Sequence, residues 1–231
     1  MVKRFYKEVS AEPSGEGWQI LLDGKPIRTP QKHALVLPNV HLADLVKAEW
    51  DAVEEKIDPR AMPATGLAHA AIDALPGQRP HVIDELAAFG ETDLLYYRAP
   101  EQALAAKQAE TWDPVLRWAE GEWGIRFTLV EGIMPVAQPE ETPAVLRAAI
   151  EKIEDWPLAA FTILVHKLGS LLLALAVYHK HLTWEQAFAA SRVDEAHQLQ
   201  TWGEDEEAVA RGEGVKAEIQ SSSQFLAACV D

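Results

Sequence analysis

The first stretch of this chain whose residue types could do chemistry is Gly90-Glu91-Thr92-Asp93-Leu94-Leu95-Tyr96-Tyr97-Arg98. Glu91 and Asp93 are carboxylates one residue apart, and such a pair serves acid–base work when burial raises its proton affinity. The same acids run straight into an apolar, aromatic segment closed by Arg98, which also suits a structural corner or a surface that grips a partner. His179-Lys180-His181 sets two imidazoles close together, with His166 upstream. Alternate residues on a helix point in different directions. The pair therefore reads as polar groups answering the carbonyls of a helix C-terminus, and no metal is expected. Neither a Walker-type glycine loop nor a dinucleotide fingerprint is present, and Gly212-Glu213-Gly214 sits among acids that repel phosphate, so no cofactor is expected. No Gly-x-Ser-x-Gly elbow offers a nucleophile. The acids at Glu54-Glu55, Glu140-Glu141 and Glu204-Asp205-Glu206-Glu207 read as solvated faces.

Bulk properties narrow the function classes further. The formal net charge of −15 argues against a broad basic face for nucleic acid or anionic lipid. A hydrophobic content of 48% over 231 residues supports one large or two modest globular domains. The single cysteine, Cys229, rules out an intrachain disulfide framework and reads as a small apolar residue near the end. The chain carries eight tryptophans, several in acidic amphipathic settings such as Glu49-Trp50-Asp51 and Glu110-Thr111-Trp112-Asp113. Tryptophan is both a core residue and a favoured interface anchor, so a chain rich in it and poor in catalytic groups suits a binding module.

The elements that would position these residues fall into two parts. Trp18, Ile20 and Leu22 alternate, and Asp23-Gly24 is a hairpin signal; strands are expected at Phe5–Val9, Trp18–Leu22, after Lys25, and at Ala34–Leu37. Asn39 is expected to cap a helix carrying Leu42, Leu45, Val46, Trp50 and Val53 on one face. A second helical piece is expected from Thr65 to Ala74, ended by Pro76-Gly77. After Pro80 the pattern is helical, with a short strand at Ile125–Val130. Thr142-Pro143 and Trp156-Pro157 read as helix starts, Thr183-Trp184-Glu185-Gln186 as a capping box, and Ser191-Arg192 as a bend. The apolar run from Pro157 to Tyr178 reads as a buried central helix, too short in its clean portion for a bilayer. Gly212 to Ser223 reads as linker. The expected fold class is therefore α+β, with a small β-rich N-terminal domain (1–80, with one or two helices) before a larger, mainly helical C-terminal domain (81–231).

An ordered set of segments carries a family resemblance. These are Phe5-Tyr6-Lys7; Leu22-Asp23-Gly24-Lys25-Pro26-Ile27-Arg28-Thr29-Pro30; Glu49-Trp50; Met62-Pro63; Glu91 to Arg98; Trp112-Asp113-Pro114; and Ser191-Arg192 through Glu195, Gln198, Trp202 and Gly203. In this order and spacing they resemble the alpha-subunit-specific assembly chaperones of the ATP synthase catalytic head, called F(1) complex assembly factor two in mitochondria. The resemblance implies a non-enzymatic protein that binds the unassembled F(1) alpha subunit and shields its interface until the beta subunit replaces it. The N-terminus has the look of neither a signal peptide nor a transit peptide, which points to a bacterial, cytoplasmic member; eukaryotic relatives would work in the mitochondrial matrix. No nucleic acid, no membrane insertion and a free monomer are expected.

Two partner-binding patches follow. One is the corner at Glu91, Asp93 and Arg98. The other is a late helix face bearing Glu195, Gln198, Trp202 and Glu206, the first three succeeding one another at helical spacing. A competing reading makes Glu91 and Asp93 the acidic site of a small-molecule enzyme, which buried carboxylates with raised proton affinity favour and exposed ones oppose. A third makes the chain a permanent structural subunit.

Overall fold

The computed structural model describes residues 2–203 and 206–230, with the side chains of 201, 202, 206–209 and 230 excepted. Two compact units emerge. One comprises Met1–Arg79, Glu154–Phe161 and Ser221–Asp231; the other comprises Pro80–Ile153 and Thr162–Gln220. The fold is α+β, with the strands concentrated at the N-terminus and helices dominating the rest.

In the first unit β1 (Val2–Lys3) precedes β2 (Val9–Ser14), which pairs antiparallel with β3 (Gly17–Leu22). The turn into β4 (Lys25–Pro26) has positive φ at both Asp23 and Gly24, the geometry that the Asp-Gly pair predicts. β5 (Val36–Leu37) pairs with β3 on its other side. The expected strand at Phe5–Val9 is not formed, and the regular ladder starts only at Val9. The backbone N–H groups of Lys7 and Glu8 instead donate to Asp23 Oδ1 at 3.0 and 2.9 Å. Asn39 caps α1 (Val40–Asp51) by accepting from the Leu42 N–H, and the helix buries Leu42, Ala43 and Val46 against β2 and β3.

β6 (Lys56–Ile57) pairs with β1, and α2 (Pro63–His69) starts with proline in its first turn. The α2 start is held from a distance. Glu49 accepts from Ala64 N, Thr65 N and Thr65 Oγ1 at 2.6, 2.8 and 2.7 Å. Glu49-Trp50 and Met62-Pro63 are thus one structural unit. Helix does not stop at Pro76-Gly77, contrary to expectation. A π turn at Ala70–Ala74 leads directly into α3 (Leu75–Phe89), which contains Pro80. Proline lacks an N–H and its ring collides with the carbonyl four residues back; the wider π turn just before Pro76 relaxes the regular i→i−4 ladder there.

The second unit takes over within α3, at Pro80. β7 (Tyr97–Arg98) precedes α4 (Gln102–Trp123). The strand expected at Ile125–Val130 is confined to β8 (Val130–Glu131), parallel to β7. α5 (Glu141–Glu151) begins before Thr142, whose hydroxyl donates to the Arg126 carbonyl at 2.9 Å rather than capping a helix. The apolar run forms two helices instead of one, α6 (Asp155–Leu168) and α7 (Leu171–Tyr178). Gly169 at φ +64° and the cap Ser170 separate them. All of α7 from Leu171 to Val177 is buried. α8 (Trp184–Ser191) has the expected capping box, and Arg192 breaks it from α9 (Val193–Trp202). The stretch expected as linker lies inside α10 (Glu206–Val230). Nothing lies within 4 Å of where a β-carbon at Gly212 or Gly214 would sit. The end of α10 belongs to the first unit, where the Ala228 carbonyl accepts from Asn39 Nδ2 at 2.8 Å and Phe225 stacks on Trp156.

Candidate partner-binding surfaces

The corner after α3 is built by close approach. At Gly90 a β-carbon would lie 3.0 Å from Leu146 Cδ1 and 3.1 Å from Leu171 Cδ2, so this turn needs glycine to lie against α5 and α7. The Tyr96 hydroxyl donates to the Gly90 carbonyl at 3.1 Å, and its ring stacks on Phe127. Asp93 is 0% exposed. Its Oδ1 accepts from Leu95 N at 3.0 Å and Ser170 Oγ at 2.7 Å, and its Oδ2 accepts from Leu172 N at 3.0 Å. Ser170 Oγ in turn accepts from Leu173 N at 3.0 Å. One carboxylate therefore caps the turn at Leu94–Tyr96 and, with Ser170, the N-terminus of α7, where the helix dipole favours negative charge. Burial pushes the Asp93 carboxyl up to about 6, against the donors that hold it down. Arg98 donates to Asp113 Oδ1 at 2.7 Å and to the carbonyls of Leu95 and Tyr97, and lies 5.2 Å from the Trp112 ring.

Of the expected corner patch, only Glu91 is exposed. Asp93 and Arg98 are corrected to internal ties, because their polar atoms are engaged within the unit. The acidic-site reading gains a buried carboxyl with raised proton affinity, yet no substrate atom can reach it, and its neighbour Glu91 stands in solvent. What this arrangement does chemically is join two helix starts.

The late helix presents a different picture. Glu195 and Gln198 are exposed on α9, and Glu195 accepts from Arg192 Nη1 at 2.7 Å. Other residues of α9 are tied to α4. Gln108 Nε2 donates to Asp194 Oδ1, and Lys107 Nζ to Gln200 Oε1, both at 2.7 Å. The side chains of Trp202 and Glu206 lie outside the described residues.

Tryptophan corrects a further expectation. None of the seven whose side chains are described is exposed. Trp112 is 1% exposed and donates to the Ala190 carbonyl at 2.8 Å. Trp118 stacks face to face with His181 at 4.6 Å, and Trp123 meets His179 edge to face. The two histidines near the end of α7 are thus engaged by rings. Among the described residues no group of three His, Cys, Asp or Glu could hold a metal.

The apolar surface sits elsewhere. Leu129, Ile133, Met134 and Val136 are exposed, Ile133 by 90% and Met134 by 74%. The ends of their loop are clasped. Thr128 N donates to Gln138 Oε1 at 2.9 Å, Gln138 Nε2 donates to the Thr128 carbonyl at 3.0 Å, and Gly132 N donates to the Arg98 carbonyl at 2.9 Å. The sequence signal was an uncharged stretch, Gly132 to Gln138, with no helical or strand period, in a chain that is 25% charged. Exposed apolar side chains held on a fastened loop are a docking feature.

The model of one protein family, described as ATP12 chaperone protein, matches residues 3–120. The chain belongs to the ATP12 chaperone family. The crystal structure of Atp12 from Paracoccus denitrificans superposes with a TM-score of 0.93 at 40% identity, over 98% of this chain and 97% of that one. The Atu1473 protein of Agrobacterium tumefaciens superposes with a TM-score of 0.94 at 41% identity, over 98% and 86% respectively. The mitochondrial protein atp12 of Schizosaccharomyces pombe is 26% identical over 99% of this chain and 83% of its own length. The ATP12 model ends before the apolar loop, whereas the structural likeness extends across both units.

Proposed function

We propose that this protein is an assembly chaperone that binds the unassembled alpha subunit of the ATP synthase F(1) sector and shields its subunit interface until beta replaces it. Membership of the ATP12 chaperone family carries this reading. Isolated alpha would expose the apolar surface it buries against beta, and a binder that covers it limits aggregation and wrong pairing. The fastened loop with Ile133 and Met134 supplies apolar contact, while exposed Glu91, Glu195 and Gln198 supply orientation and encounter rate. Trp202 and Glu206, expected beside them from the sequence, lie outside the described side chains and stay part of the proposal on that ground alone. The protein works without catalysis, as a monomer when free, in the bacterial cytoplasm. None of the described helices is long and apolar enough to cross a membrane.

The test is capture of this protein from cells depleted of the beta subunit. Alpha is expected to accumulate on it and to be displaced when beta is added. Absence of alpha from the bound fraction overturns the reading, and stoichiometric retention in finished ATP synthase would instead mark a permanent subunit.

A further inference from the structure

The first unit carries a groove of about 380 Å³ that none of the surfaces above includes. Phe5, Tyr6 and Trp50 line it as a contiguous series of rings, Phe5 edge-on to Tyr6 at 5.4 Å and Tyr6 tilted against Trp50 at 5.8 Å. Phe5 is 68% exposed, an unusual position for a phenyl ring with no covering element. Trp50 Nε1 is enclosed and has no hydrogen-bond partner. A buried indole N–H left unpaired is unfavourable, so this side of the groove is held at some cost to stability.

Charge gives the groove its second character. Lys25 and Arg28 also line it, both exposed, and among the described residues neither pairs with a carboxylate. Asp23 lines it too, but its Oδ1 already accepts from the backbone N–H groups of Lys7 and Glu8. Two unpaired cations beside an aromatic surface stand out in a chain of net charge −15. β4, which carries Lys25, is only two residues long and ends in Pro26, so the groove offers side chains rather than a backbone ladder.

We propose that this groove receives an extended segment of the client polypeptide, an apolar side chain seated against Phe5 and Trp50 and flanked by carboxylates that pair with Lys25 and Arg28. This rests on the reading that the client is the alpha subunit, and it gives that client an acidic, apolar recognition segment. Apolar and aromatic contact supplies affinity, and the cations set register and exclude basic segments.

The probes are short, dye-labelled, overlapping peptides tiling the alpha subunit, titrated against the full chain and read by fluorescence anisotropy. Bound peptides are expected to share an apolar residue beside Asp or Glu, and their binding should weaken as salt rises. Lys25→Glu combined with Arg28→Glu should weaken them by about tenfold or more and reduce capture of intact alpha, with an unchanged melting temperature. Phe5→Ser should do the same; if it lowers the melting temperature, the charge-reversal variant alone decides. Unaltered peptide binding in that variant overturns the proposal. So does a wild-type protein that captures alpha but no peptide, a result that leaves the chaperone reading standing. Failure of the wild type to capture alpha defeats both. A drop in molecular mass by light scattering on charge reversal would show that a second copy fills the groove, and also overturns it.

Discussion

Replacing Asp93 with alanine tests whether this buried carboxylate is the tie that the geometry describes. The substitution removes the acceptor of three backbone N–H groups, those of Leu95, Leu171 and Leu172, and of the Ser170 hydroxyl. An orphaned buried donor costs about 1–3 kcal/mol. Against that loss stands relief from burying a charge. The folded carboxyl is raised to about 6 from 3.8, a difference worth about 3 kcal/mol. Four orphaned donors cost about 4 kcal/mol even at the low end of that range, so at neutral pH the net is a destabilisation of at least about 1 kcal/mol. The pH dependence has a definite sign. A raised carboxyl means that the folded state binds its proton more tightly than the unfolded state. The associated stability is present in full below 3.8 and is lost as pH rises through about 6. About 0.8 kcal/mol of it remains near pH 5.5 and almost none near pH 7.5. Urea unfolding followed by tryptophan fluorescence, in wild type and Asp93→Ala at both pH values, should therefore show a gap that is wider in acid. A loss under about 1 kcal/mol at both pH values would refute the tie. A gap that widens towards neutral pH would refute burial as the dominant influence on this carboxyl, and give that place to its donors.

Three further outcomes follow from the same geometry. Gly90→Ala drives a methyl into Leu146 and Leu171 and should cost about 1–3 kcal/mol in urea unfolding; an unchanged midpoint would mean that α5 and α7 yield freely there. Ile133→Asp with Met134→Asp changes only exposed side chains, so the melting temperature should hold while capture of alpha falls by about tenfold; undiminished capture would remove the loop from the binding surface. Burial pushes the Cys229 thiol up to about 12 from 9.0, so its alkylation by iodoacetamide near neutral pH should be slower than that of an ordinary thiol by up to about a thousandfold, and should accelerate on adding urea. Equal rates with and without urea would show that burial does not control it.

What the sequence displayed, and what it hid, divides by the distance over which each residue finds its partner. The Asp23-Gly24 turn, the Asn39 cap and the Thr183 capping box were legible because their hydrogen bonds close within a few residues. The break expected at Pro76-Gly77 misled because it used local rules where a π turn supplied the compensation. Glycines at 212 and 214 suggested a linker, yet one long helix runs through them. Asp93 was the most deceptive residue. An acid beside another acid reads as surface or catalytic, and only its bonds to Ser170 and Leu172, 77 and 79 residues away, make it internal. Arg98 was hidden in the same way by Asp113 and Trp112. The aromatic anchors expected of a binding module proved to be half-buried or core, and the exposed apolar side chains lie on a loop without period. Such a loop leaves no pattern, because a pattern records burial within the chain itself. On the proposed reading, a surface whose burial another polypeptide completes is marked instead by a stretch that obeys neither the helical nor the strand period and yet carries no charge. Gly132 to Gln138 meets that description, and the Thr128–Gln138 clasp explains how it keeps its shape without a core to hold it.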